Sequence, residues 1–198
     1  MNLIYPPGAT PLDPNEIDGL IPNIRLQSEL NAREEDNIIR CRRWALSSRN
    51  RRLRNDLLSV AGLKLLHQKM FDEVWKWAGS FRLTEKNIGV LAYQIAPQLH
   101  NLCEDVKAQL AHRSYPLDEC AVRFHHRLTL IHPFPNGNGR HARLACDLLL
   151  RFNGAAEFTW GPTSLSEASA VRKAYIDALR HADGGDISLL LQFARSQP

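Results

Sequence analysis

The sequence predicts an all-α fold with one small β-hairpin, and three observations predict it. From about residue 27 onward, apolar residues recur at helical spacing almost to the end of the chain. Only the short region from Arg82 to Leu91 reads as extended. Helix punctuation, prolines near starts and Asn or Gly at ends, falls where that spacing breaks.

Taken in order, residues 1–26 carry Pro6, Pro7, Pro11, Pro14 and Pro22 with little periodicity, which predicts an extended arm wrapped on the domain. Leu30, Ile38, Cys41 and Ala45 fit one stripe of a first long helix. Leu58, Ala61 and Leu65 fit a second, with the run continuing towards Trp75. Leu99, Leu102, Cys103, Val106 and Leu110 define an amphipathic helix with Pro97 near its start. Ala121, Phe124, Leu128 and Ile131 lead into a glycine-bearing loop; Ala142, Ala145, Cys146, Leu149 and Phe152 lead out of it, closed by Asn153-Gly154. Ser164-Leu165-Ser166-Glu167 reads as a capping box opening a helix through about His181, and a last helix spans about Ile187 to Ala194. There are no internal repeats and no low-complexity linker.

The 198 residues suffice for one domain with a real core. With 44% hydrophobic and 23% charged residues, the composition is that of an ordinary globular protein. No run approaches the ~20 apolar residues of a membrane span, and the first residues lack a signal pattern, so no membrane partner and a cytoplasmic location are expected. Cys41, Cys103, Cys120 and Cys146 lie on apolar helical faces without metal-ligand spacing and read as reduced core thiols. His125, His126 and His132 match no common zinc pattern either. The net charge of +4 is concentrated in Arg40, Arg42, Arg43, Arg49, Arg51, Arg52 and Arg54. No stacking aromatics or DNA-binding motif accompany these arginines, so a solvated basic face is expected rather than a nucleic-acid partner.

The informative stretch is His132-Pro133-Phe134-Pro135-Asn136-Gly137-Asn138-Gly139-Arg140-His141-Ala142-Arg143. A neutral imidazole can take a proton from a hydroxyl near neutral pH. Gly137 and Gly139 let the backbone turn and aim N–H groups inward, a concavity suited to phosphate oxygens. A helix opening at the Gly139–Arg140 turn would reinforce that anion site with its dipole. Arg140 and Arg143, at i and i+3, share one face and can both reach phosphates. Phe134 is expected to turn inward and pin the loop, which Pro133 and Pro135 stiffen. The layout is that of a phosphate-transfer site.

This run resembles the signature of the Fic (Fic/Doc) family, His-x-Phe-x-(Asp/Glu)-Gly-Asn-Gly-Arg-x-x-Arg, at every specified position except the acidic one, which is Asn136 here. Trp75-Lys76-Trp77-Ala78-Gly79 and the following Phe81-Arg82 and Asn87-Ile88-Gly89 are similar to the family's Trp-Ala-Gly stretch and its β-hairpin flap. The N-terminal Thr10-Pro11-Leu12-Asp13-Pro14 and Gly19-Leu20-Ile21-Pro22 resemble a bacterial subgroup called mobile mystery protein B. The resemblance implies an arm over residues 1–26 and a Fic-like helical bundle over 27–198. It also implies adenylyl transfer from ATP to a Ser, Thr or Tyr hydroxyl of a target protein. In that scheme His132 is the base; Gly137, Asn138 and Gly139 offer backbone N–H groups; Arg140 and Arg143 hold phosphates, Arg143 the γ-phosphate. The family's acidic residue ligates Mg²⁺, and an uncharged amide at Asn136 should weaken that site. Thr84, Lys86, Asn87, Ile88 and Gly89 would align a target segment, with Lys86 and Asn87 able to reach substrate. His141 fills a variable position and has no assigned role.

Many members also carry an inhibitory helix whose glutamate pairs with the second motif arginine. No clean copy of its pattern is present, but residues 27–48 hold Glu34 four residues after Leu30 and four and seven before Ile38 and Cys41. Glu34 therefore falls on the inward face and needs a cationic partner, for which Arg143 is the candidate; Glu35 is the second choice, and a solvated charge run is the competing reading. Two other functions stay open: another phosphate or nucleotide transfer on the same scaffold, or a non-catalytic nucleotide-binding protein with an antitoxin-like partner.

Overall fold

In the computed structural model, residues 10–47, 50–161 and 168–196 are described. Among them the secondary structure is helical, and the one β contact is an isolated antiparallel bridge between Leu20 and Trp75. Helix α1 is a single turn, Pro14–Ile17, opened by Glu16 accepting from the Asp13 backbone N–H at 2.7 Å. The arm then runs along the Trp75–Trp77 segment: Ile21 N donates to Val74 O at 2.9 Å, Lys76 N to Gly19 O at 2.8 Å, and Trp77 Nε1 to Glu16 O at 2.9 Å.

Helix α2 (Gln27–Leu46) buries Leu30, Glu34, Asn37, Cys41 and Ala45, an i, i+4, i+7, i+11, i+15 stripe with two polar members. Asn37 satisfies itself by donating to Lys69 O at 3.1 Å and accepting from Glu73 N at 3.0 Å. Helix α3 (Arg51–Asp56) is capped by Asn50, whose side chain accepts from Leu53 N at 3.2 Å. Helix α4 (Val60–Phe71) is capped by Ser59 on Gly62 N at 2.9 Å. The buried face of α4 is Gly62, Leu63, Leu66, His67, Met70 and Phe71, not the Leu58–Ala61–Leu65 stripe. Ala61 is exposed and Leu65 half-buried. The inward face contains a glycine and a histidine, which an apolar-spacing argument passes over.

Helix α5 (Ile95–His112), entered through a 3₁₀ turn at Ala92–Gln94, and α6 (Leu117–Ile131) form an antiparallel pair. Helix α7 (Asn138–Phe152) is the centre of the bundle: Leu144 to Leu150 are all buried, as expected of a helix surrounded by others. It packs mainly on α6 and also on α4 and α2. Helices α8 (Ala168–Asp183) and α9 (Ser188–Arg195) close the far side. The proposed capping box at 164–167 lies outside the described residues, as does Arg49.

The expected hairpin over 82–91 is not formed. Its two arms bond to the segment around His132 instead of to each other: Arg82 N donates to Pro133 O at 3.0 Å and Val90 N to Ile131 O at 3.4 Å. Between them the Arg82 guanidinium donates to Thr84 O at 2.9 Å and to Val90 O, so the loop closes round a cation rather than a ladder.

The basic residues of α2 and α3 are largely paired, Arg40 with Glu73 and Arg42 with Glu157, while Arg54 lies over the Phe152 ring. All four cysteines are buried and free. Among the described residues no helix is long and apolar enough to cross a membrane.

Candidate functional site

The motif occupies the turn between α6 and α7. Helix α6 ends at Ile131, and His132 takes a left-handed conformation (φ 51°) as its C-cap, with its N–H still bonded to Leu128 O at 3.3 Å. Left-handed backbone is uncommon for a residue with a Cβ and costs about 1–2 kcal/mol. It turns the chain out of the helix direction and into the loop that follows. His132 is buried, and its Nε2 has no hydrogen-bond partner. Burial, the nearby Arg82 charge and, less strongly, Lys86 push its pKa down to about 4, against a hydrogen bond with the Thr129 backbone. At neutral pH it is an uncharged proton acceptor with nothing to accept from.

The loop is held from beneath. Phe134 is fully buried and stacks on His67 with ring centroids 3.7 Å apart. Gly79 N donates to His67 Nδ1 at 2.9 Å, which places the imidazole proton on Nε2, and Nε2 donates to Asn136 O at 3.0 Å. That arrangement requires a neutral ring, and burial holds the His67 pKa well below its ordinary value. The buried Asn138 amide spans the loop, accepting from Phe134 N at 2.9 Å and donating to Phe134 O at 2.8 Å. His141 ties α7 to α4 through Leu63 O at 3.0 Å. His67, the clamping side chain of Asn138 and His141 were not found by sequence reasoning. The Asn138 clamp has a local signal, an amide four residues after the phenylalanine it encloses; His67 has none.

Helix α7 begins at Asn138, slightly earlier than expected, with Gly137 as N-cap at φ 77°. A Cβ at Gly137 would sit 2.5 Å from Phe71 Cζ, so both backbone and space demand glycine. A Cβ at Gly139 would meet no atom closer than Tyr175 Oη at 3.9 Å, so this side of the helix start can admit an anion. Gly137 N donates to Asn136 Oδ1 at 2.5 Å. The Asn136 amide oxygen is thereby turned to the loop backbone, and among the described residues no cluster of His, Cys, Asp or Glu could hold a metal ion.

The two arginines have different surroundings. Arg140 Nη1 pairs with Glu34 Oε2 at 2.8 Å and lies over the Phe71 ring at 5.0 Å. Glu34 Oε1 accepts from Trp75 Nε1 at 2.7 Å. Arg143 lies over the Tyr175 ring at 5.3 Å, and Tyr175 Oη meets His125 Nε2 at 3.1 Å. The expected Glu34–Arg143 pairing is therefore corrected to Glu34–Arg140: α2 packs on α4, and its inward carboxylate emerges beside Phe71, where the first arginine of α7 crosses. Glu35 is exposed.

In the flap, Lys86 is not available to a substrate as expected. Its ammonium is bonded to Asp13 at 2.8 Å and Glu16 at 2.6 Å, and its side chain is 3% exposed, because the arm's two carboxylates enclose it. Thr84 Oγ1 likewise donates to Asp13 at 2.6 Å. Asn87, Ile88 and Leu83 are exposed. Gly89 (φ 112°) lies against His132: a Cβ there would be 2.9 Å from His132 Cβ and 2.6 Å from Arg82 Nη2.

Known proteins resemble this chain in sequence and in fold. The Fic/DOC family model matches residues 57–150. A probable protein adenylyltransferase, y4lH of Sinorhizobium fredii, is 26% identical over 141 residues, covering 67% of this chain and 69% of that protein. A probable protein adenylyltransferase of Aquifex aeolicus, aq_aa38, is 35% identical over 77 residues, 39% of this chain but 21% of that protein. The crystal structure of the BepC effector of Bartonella tribocorum, with bound AMPPNP, superposes with a TM-score of 0.65 at 17% identity, over 91% of this chain and 95% of that one.

Proposed function

This chain is a Fic-domain protein, and from that premise we propose that it is a protein adenylyltransferase, moving AMP from ATP to a Ser, Thr or Tyr hydroxyl of a target protein. The observation that carries the reading is the buried, neutral, unpartnered Nε2 of His132 beside a glycine-flanked helix N-terminus. His132 Nε2 takes the proton as the hydroxyl oxygen attacks the α-phosphorus; the bond to pyrophosphate breaks, and pyrophosphate leaves. Charge on the phosphates is met by the N–H groups of Asn138 and Gly139, by Gly137 N once Asn136 turns away, and by Arg140 and Arg143. The flap from Thr84 to Gly89 aligns the target chain, with Asn87 and Ile88 at the exposed edge.

Magnesium, when bound, would neutralise phosphate charge, and Asn136 is its one candidate side-chain ligand. The residues present make a poor site for it: the amide is uncharged and already engaged with Gly137 N. Glu34 restrains the site by occupying Arg140, which must release it before phosphates can bind.

Incubation with ATP labelled on the α- or the γ-phosphate, with a lysate as target, tests the proposal. Protein labelling from the α-label alone, falling at least ~100-fold in His132→Ala, is expected. Asn136 favours one second reading, transfer of a different phosphate, and labelling from the γ-label alone would establish that reading instead.

A further inference from the structure

We infer that Arg82 is the positioning residue that holds the base and the flap as one unit. Its guanidinium is completely buried, and its one carboxylate partner is the half-exposed Glu85, which Nη1 reaches at a long 3.5 Å. Its shorter bonds all go to backbone carbonyls. Nε donates to His132 O at 2.7 Å, Nη1 to Thr84 O at 2.9 Å, and Nη2 to Val90 O. Its own backbone N–H reaches Pro133 O at 3.0 Å, so Arg82 grips the chain on both sides of the His132–Pro133 peptide.

A buried cation satisfied by carbonyls is an expensive arrangement, and its geometry shows what it accomplishes. The planar fork fixes three carbonyls at once, which an ammonium on a flexible stem does not. One carbonyl belongs to His132, whose left-handed backbone needs an external hold. The other two belong to the two arms of the flap. Any shift of a segment docked on the flap is therefore transmitted through one rigid group to the base. Packing leaves no slack, since Gly89 is the only residue that fits between Arg82 and His132.

The charge also has a consequence. The ionic groups that face His132 are Arg82 and Lys86, both from the flap; Glu85 meets Arg82, and Asp13 and Glu16 of the arm meet Lys86. Arg82 thus adds to burial in keeping the imidazole neutral, as well as holding it in place.

This inference rests on His132 being the base, so the test reads His132 directly as well as through turnover. Imidazole resonances, assigned by comparison with His132→Gln, are titrated in the wild type, Arg82→Met and Arg82→Lys, beside kcat and KM for α-labelled ATP. In Arg82→Met the His132 titration should move up by ~1 pH unit, and kcat should fall ~10-fold or more with little change in KM. Arg82→Lys keeps the charge and loses the fork; its titration should stay near that of the wild type while kcat still falls. A folded Arg82→Met whose His132 titration is unmoved, and whose labelling falls only with its folded fraction, overturns the inference. Should Arg82→Met not fold, wild-type kcat in Arg82→Lys overturns it. Absence of labelling in every form, with the His132 shift present, would sink adenylyl transfer and leave the positioning role standing.

Discussion

Replacing Glu34 should raise activity and lower stability together, and the structure gives both magnitudes. Glu34 holds two groups, the Arg140 guanidinium at 2.8 Å and the buried Trp75 indole N–H at 2.7 Å. Glu34→Gly removes both and puts glycine inside α2. An orphaned buried donor costs ~1–3 kcal/mol and a helix-interior glycine about 1, so a loss of about 3 kcal/mol is expected. For a chain of this size that corresponds to a fall in Tm of ~6–12 °C. Glu34→Gln can still accept from Trp75 and avoids the glycine, so its loss should be about 1 kcal/mol. Arg140, in contrast, is freed in both variants. Breaking a charge-assisted bond worth ~1.5–3 kcal/mol before phosphate can bind weakens ATP by roughly 10- to 150-fold. Both variants should therefore label target protein ~10- to 100-fold faster at sub-saturating ATP, despite their different melting temperatures. Thermal melts, ATP titration calorimetry and α-label incorporation measure the three quantities. A lowered Tm with ATP affinity and labelling unchanged would refute the restraint and leave Glu34 a structural residue.

Acidification should destabilise the fold before any carboxylate pair is protonated. His132 and His141 are both depressed to about 4 by burial, so the stability their neutral forms provide is complete above the unfolded value near 6.5 and lost as pH falls from there towards 4. At pH 5 each contributes a loss of ~2 kcal/mol, while Asp147, raised to about 6 by burial, returns about 1.4 as it protonates. A Tm at least ~5 °C lower at pH 5 than at pH 7.5 is expected, and a flat or rising Tm would contradict neutral burial. Gly137→Ala combines left-handed backbone with a Cβ 2.5 Å from Phe71 Cζ and should lose about 3 kcal/mol by denaturant melts and most labelling; wild-type stability would mean the loop can relax. Asn136→Asp should lower the Mg²⁺ concentration that half-saturates labelling by ~10-fold or more, and an unchanged metal titration would remove position 136 from the metal site.

Much of the site was legible because its chemistry is local. His132, the glycine turn and the two arginines lie within twelve residues, and the helices on either side follow from spacing and from Asn153-Gly154. What escaped is what joins distant segments. Glu34 was placed inward correctly by its offsets from Leu30 and Cys41, but its partner depends on how α2 crosses α4 and α7, which no offset encodes. The flap alternates like a strand, yet its backbone donors find carbonyls beside His132, some forty to fifty residues away. Lys86 looked like a substrate contact because nothing near it in sequence shows that Asp13 and Glu16 enclose it. The α4 face was misjudged because Gly62 and His67 occupy inward positions, His67 through a tautomer set by Gly79.

The buried stripe of α2 has a thermodynamic consequence. Two of its five inward residues, Glu34 and Asn37, are polar, so this helix is held to the bundle by specific bonds as well as by apolar packing. Such a seam responds to competitors: an anion that takes Arg140 withdraws one of its fastenings. The coupling is reciprocal, so whatever factor α2 subtracts from nucleotide affinity, bound nucleotide subtracts from the attachment of α2. On the proposed restraint, the helix would be at once a brake on the site and a reporter of its occupancy, and a protein that recognised detached α2 would be reading bound nucleotide through this fold.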